Sequence, residues 1–244
     1  MVLPGCYTTV ILSLTMIVIP ISVNDLRTSM LLKRMGSSPV KPIVFLMTII
    51  VYYYIVVFVS YIWQILWSYL ILWNYRGFIS DMLTGANYLY LWYAITLTYV
   101  MSLSIGFIWM VVCRRNFQIQ LISIAVIVVS FVLGGLGVPI GVVHNVTTGV
   151  GMPLLTKVVY VDPFWYTSCL NYQAWFAHSH SVFNIYGSSM FDPSTLLTIK
   201  LGTSFAIVDI LGSFDKYMAL FMPVGITFAL GVLDIATFRW NRRD

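Results

Sequence analysis

The residues able to do chemistry are few and widely spaced. His144, His178 and His180 could offer imidazole nitrogens to zinc. However, the i, i+2 spacing of His178 and His180 points them apart on a helix, and no carboxylate stands nearby to orient them. Cys6, Cys113 and Cys169 are single and distant, with no C-x-x-C pair for a zinc ribbon, a redox dithiol or a disulfide framework. All eight acidic residues are aspartate, so every scheme needing a glutamate base falls, the H-E-x-x-H zinc hydrolases included. A Gly-Lys pair is absent, and with it the phosphate-binding loop G-x-x-x-x-G-K-[ST]. G-x-G-x-x-G and G-x-S-x-G are missing as well. No catalytic residue, metal site or cofactor is therefore expected on this chain.

The elements that would position any chemistry are dictated by hydropathy. Of 244 residues, 60% are hydrophobic and 9% charged. A soluble domain carries about a quarter charged residues. This composition predicts an all-α, polytopic membrane helix bundle. Five apolar runs reach the roughly 20 residues that a helical span requires: 2–23, 43–73, 88–113, 119–143 and 217–238. The second is longer than a bilayer needs and ends in Trp63, Trp67, Tyr69 and Trp73, a composition suited to the headgroup region. The whole chain, 1–244, reads as one transmembrane domain.

Charge orients the set. Nine of the 13 basic residues fall on one side: Arg27, Lys33, Arg34, Lys41, Arg114, Arg115, Arg239, Arg242 and Arg243. By the positive-inside rule that side is cytoplasmic, which places the C-terminus inside and the N-terminus outside. The net charge of +5 belongs to this topology rather than to nucleic-acid binding, and the basic loops face membrane lipids. A multi-pass protein of the plasma (inner) membrane is expected. Segment 144–216 is then external. Its half-apolar stretches, 158–177 and 195–211, are broken by charge or proline and read as short re-entrant or surface-lying helices. Asn145-Val146-Thr147 matches a glycosylation sequon, which matters only along a eukaryotic secretory route.

Within the spans, Ala94, Thr98, Ser102 and Gly106 recur every four residues, a small-residue stripe that lets a second helix approach closely. Gly134, Gly135, Gly137 and Gly141, with Pro139, make the end of the fourth run close-packing and easily bent. Static packing, a dimer contact or a moving transport-path helix would each use such residues. Asp234 is the one ionisable group deep in a run, where an ion relay would show several.

The loop 24–42 joins the first two runs. Asn24 or Asp25 can cap a short amphipathic helix from Leu26 to Met35, ended by Gly36, with Pro39 opening the next segment. In order along the chain stand Arg27, Leu32-Lys33-Arg34-Met35 and Ser37-Ser38-Pro39-Val40. The glycine-rich run 131–139 follows, and then Val159-Tyr160-Val161-Asp162-Pro163-Phe164-Trp165-Tyr166. In these three places the chain resembles the permease subunits of type 2 ABC exporters, which move drugs, antibiotics and polysaccharides. Asp162-Pro163 stands where that family has Asn-Pro, followed as in the family by an aromatic residue, Phe164, and, two positions on, by Tyr166.

The resemblance implies that loop 24–42 is a coupling helix, with Arg27, Leu31, Leu32, Lys33, Arg34, Met35, Ser38 and Pro39 docking on a separate ABC ATPase subunit. ATP and Mg would be bound there and not by this chain. A second permease copy, identical or related, would complete the path. The family has six spans with both termini inside, and against that pattern this chain lacks the first helix. It also lacks the acidic residue frequent in the coupling loop. An alternative of a different class is a non-transporting membrane partner, such as an immunity, assembly or accessory protein on the same scaffold. A neighbouring ATPase reading frame would favour the exporter.

Overall fold

A backbone surrounded by hydrocarbon must satisfy its own polar groups, and apolar sequence there folds as helix. The computed structural model describes residues 3–28, 42–73, 76–113, 115–134, 136–137, 161–175, 198–199, 208–209 and 213–237. Helix α1 runs through Leu3–Ser13, a π-helical turn at Leu14–Val18, and Ile19–Thr28. Helices α2 (Pro42–Ile71), α3 (Arg76–Thr84), α4 (Tyr88–Val112) and α5 (Asn116–Leu133) follow. After them come α6 (Pro163–Trp175), a two-residue antiparallel ladder of β1 (Thr198–Ile199) with β2 (Val208–Asp209), and α7 (Ser213–Thr237).

The result is an all-α polytopic bundle. Four helices are long and apolar enough to cross a membrane: Leu3–Leu26, Met47–Ile71, Tyr88–Val112 and Asn116–Leu133. The fifth expected run lies in α7, where Phe221–Asp234 is the apolar part among the described residues. Stretch 195–211, read from sequence as a short helix, instead contributes the strand pair Thr198↔Asp209 and Ile199↔Val208. Its paired positions include β-branched Thr198, Ile199 and Val208, which suit extended backbone better than helix.

Helix α4 is the hub, packed against α1, α6 and α7 and buried over most of its length. Helices α2 and α5 are largely uncovered, presenting Val51, Ile55, Val59, Leu121 and Val128 outward as lipid-facing residues do. Helix α3 has no counterpart among the runs read from sequence. It buries Ile79 and Met82 completely, and the spacing Ile79, Met82, Leu83, Ala86 is its signal in the chain.

Proline explains the π-turn. Pro20 has no N–H, so the helix cannot make its ordinary bond to the Met16 carbonyl. The Ile19 N–H instead reaches back to the Leu14 carbonyl, the wider π spacing. The freed Met16 carbonyl accepts from the Ser123 hydroxyl of α5 at 2.8 Å. One helix thus lends a donor to repair its neighbour.

The small stripe of α4 has two partners within the chain. Ala94, at 0% exposure, sits with Leu170 of α6. Lower down, the Thr15 hydroxyl meets that of Ser102 at 2.7 Å, and Ser102 donates to the Thr98 carbonyl at 2.6 Å. A Cβ on Gly106 would stand 2.7 Å from Pro20 Cγ and 2.9 Å from the Thr15 carbonyl oxygen. Only glycine allows α4 so close to the π-turn. Gly106→Ala should cost about 1–3 kcal/mol of stability through overpacking, read as a lower thermal unfolding midpoint in detergent. Gly225→Ala, where a Cβ meets nothing within 4 Å, should not destabilise the fold and should stabilise it by up to about 1 kcal/mol through helix propensity.

Candidate functional site

Helix α6 organises the most distinctive site. Asp162-Pro163 starts it, and each residue has a local reason. The Asp162 carboxylate Oδ1 accepts from the Phe164 N–H at 3.0 Å, an N-cap bond, and Pro163 occupies the first helical position, where no N–H is needed. Oδ1 also accepts from the Ser130 hydroxyl of α5 at 3.3 Å. A Cβ on Gly134 would lie 2.9 Å from Asp162 Oδ2, so glycine there leaves room for the carboxylate. Oδ2 itself is buried without a hydrogen bond among the described residues.

The other end is held equally firmly. The Ala174 carbonyl accepts from the Asn87 N–H at 2.8 Å, and the Asn87 side chain caps α4 by accepting from the Tyr90 N–H. Trp175 Nε1 donates to the Tyr61 hydroxyl of α2 at 3.0 Å, and Tyr7 of α1 closes the aromatic group with centroids 5.8 Å from both rings. Every described side chain from Phe164 to Trp175 is buried.

These contacts fix the depth of α6. Phe164 packs with Leu12, Met16 and Met101, in the middle of α1 and α4. Ala174, ten residues on, meets Asn87 at the end of α4. The thirteen residues of α6 run about 20 Å as helix. Helix α6, which occupies most of stretch 158–177, reaches from one end of the bundle to its middle. Asp162 and Pro163 stand at its deep tip, with Tyr166 in the core at 6% exposure.

At the opposite end, Asn24 and Asp25 do not cap a new helix. Both lie inside the continuing helix Ile19–Thr28, because nothing in that sequence breaks it. Their side chains serve another purpose. Asn24 Nδ2 donates to Asn116 Oδ1 at 2.6 Å, and Asn116 Nδ2 donates to Asp25 Oδ1 at 2.5 Å. This bridge ties α1 to the first residue of α5. The spacing of Asn24 and Asp25 from Asn116 gives no local signal of it.

Arg27 is in the last turn of α1. Leu31, Leu32, Lys33, Arg34, Met35, Ser38 and Pro39 lie outside the described residues, as do Gly135, Gly141 and the three histidines. Gly137 lies against the Phe131 ring, and Gly5 of α1 lies against the Leu136 backbone, so Gly134 and Gly137 belong to a packed turn beneath α6. Thr98, Ser102 and Gly106 are buried inside the chain rather than presented to an outside partner. Among the described residues no group of three His, Cys, Asp or Glu could hold a metal ion.

The cap at the deep tip can be tested by two substitutions. Asp162→Asn keeps a side-chain oxygen for the Phe164 N–H, whereas Asp162→Ala leaves that N–H without its partner. In detergent, Asp162→Ala should therefore unfold below Asp162→Asn by about 1 kcal/mol. Equal unfolding midpoints for the two variants would remove the cap as the anchor of α6.

No family model, curated protein or solved structure matches this chain, so the arrangement of its own residues carries the functional reading.

Proposed function

We propose that this chain is the membrane-spanning permease subunit of an ATP-driven exporter, binding no nucleotide itself and coupled to a separate ATPase that carries ATP and Mg. The observation that carries the reading is the pairing of two features on one bundle. A basic loop joins α1 and α2 at one end, and a buried re-entrant helix runs from Asp162-Pro163 to the other, in the order the type 2 ABC export permeases have them. On this reading the basic end is cytoplasmic, the C-terminus with it, in a plasma (inner) membrane.

Contacts between the helices supply a mechanism. An ATPase gripping loop 24–42 would pull on the basic ends of α1 and α2. The Asn24–Asn116–Asp25 bridge passes a displacement of α1 to α5, and the Thr15–Ser102 contact passes it to α4. Helix α6, seated on α4, α7 and α1 with a lesser contact to α5, is then the element whose position changes at the far side. A second permease copy would close the path. Transport of this kind needs two packings of similar energy, biased by nucleotide on one side and cargo on the other.

Purification in mild detergent from the native membrane should bring down an ABC ATPase together with two permease copies. Arg34→Glu should abolish the substrate-stimulated ATP turnover of that assembly while membrane insertion stays intact. Turnover equal to wild type would defeat docking through this loop.

A further inference from the structure

Helix α6 starts from a carboxyl group whose two oxygens meet opposite surroundings. Oδ1 of Asp162 accepts from the Phe164 N–H at 3.0 Å and from the Ser130 hydroxyl at 3.3 Å. Oδ2 is buried and has no hydrogen bond among the described residues. Its neighbour is an acceptor. A Cβ on Gly134 would stand 2.9 Å from Oδ2 and 2.6 Å from the Ser130 carbonyl oxygen, so both oxygens border one spot. An anionic Oδ2 is repelled by that carbonyl, whereas a protonated Oδ2 has a proton to direct toward it.

Among the described residues no charge neutralises the group. Helices α4, α5 and α6 hold no Asp, Lys, Arg or His. Met16 of α1 and Ile226 of α7 pack in one cluster with Phe164. The charged residues of those helices, Asp25 and Arg27 on α1 and Asp215, Lys216 and Asp234 on α7, lie eight or more residues from them. Along a helix that is about 12 Å or further. The tyrosines and cysteines of α1, α4, α6 and α7, with Tyr166 one turn from Asp162, are neutral at physiological pH. The positive end of the α6 dipole and the two donors on Oδ1 favour the anion. Burial favours the acid and is the larger effect, so the carboxyl titrates above its ordinary value.

We propose that Asp162 binds a proton on Oδ2 and that this proton latches the tip of α6 in its seat beside Gly134. As the acid, Asp162 keeps both bonds to Oδ1 and turns its O–H toward the Ser130 carbonyl. When the O–H bond breaks, the proton passes to water and leaves an anion against that carbonyl, which pushes the tip out. The carboxyl is not sealed in: Asp162 is partly exposed, and Val161 before it is 78% exposed. The folded protein holds this proton more tightly than the unfolded chain does. Its stabilisation is therefore complete in acid and is lost as pH rises through the folded value. The latch needs no ATPase and stands independently of the exporter reading.

The test uses the full chain in nanodiscs of uncharged lipid. Infrared spectra of wild type should contain the carbonyl stretch of a protonated carboxyl near neutral pH, lost reversibly as the pH is raised. Asp162→Asn should lack that band, and Asp234→Asn should keep it. Seating is read at Cys169 of α6, buried at 0% exposure, with Cys6→Ala and Cys113→Ala removing the other thiols. Over the same alkaline range, labelling of Cys169 by a membrane-permeant maleimide should rise at least about tenfold more in wild type than in Asp162→Asn. Asp162→Asn corrects for the ordinary rise in thiolate. If Asp162→Asn does not fold, Ser130→Ala decides: it takes a donor from the anion and should move the infrared midpoint to higher pH. A wild-type spectrum without the band, a band that survives Asp162→Asn, a midpoint unmoved by Ser130→Ala, or equal labelling profiles would each overturn the latch.

Discussion

A helix that ends in the buried middle of an apolar bundle must find partners for the polar groups at that terminus, because apolar surroundings offer none. Helix α6 does so at its deep tip through Asp162, whose carboxylate answers the Phe164 N–H and is answered by Ser130. Pro163 removes one orphan donor outright. At the shallow end, Asn87 and Tyr61 take polar groups of Ala174 and Trp175. The bundle is built around this insertion. Without it, the faces of α1, α4 and α7 that it covers would lose a packing partner.

The same logic governs the lower half. Pro20 opens a gap in α1, Ser123 fills it from α5, and Gly106 lets α4 close on the resulting bulge. Three residues on three helices thus make one joint. Hydrogen bonds between membrane helices are individually modest, about 0.6 kcal/mol on average. Their importance here is positional: Thr15 to Ser102 and Asn24 to Asn116 set the register of α1 against two neighbours, which close packing then holds.

The functional reading rests on asymmetry between the two ends. One end carries Arg27, Arg115 and the Asn24–Asn116–Asp25 bridge, and α6 reaches inward from the other. A device that converts a pull at one face into a shift at the other needs rigid elements linked across the span, and α1 with its cross-links to α4 and α5 is such an element.

Hydropathy and charge are summed residue by residue, so the all-α class, the approximate limits of the long helices and the clustering of basic residues were legible in the chain before it folds. The small-residue stripe of α4 was equally legible as a packing face, since spacing alone puts Ala94, Thr98, Ser102 and Gly106 in one line. Which helix meets that line depends on how distant segments come together, and packing alone gives Gly106 to α1 and Ala94 to α6. Packing likewise makes Asn24 and Asp25 a bridge to α5 rather than a cap, sets Asp162 near mid-depth, and pairs residues of stretch 195–211 as strands. A polar side chain in lipid takes whichever partner the fold brings within reach. That choice is made across the bundle and leaves no mark on neighbouring residues.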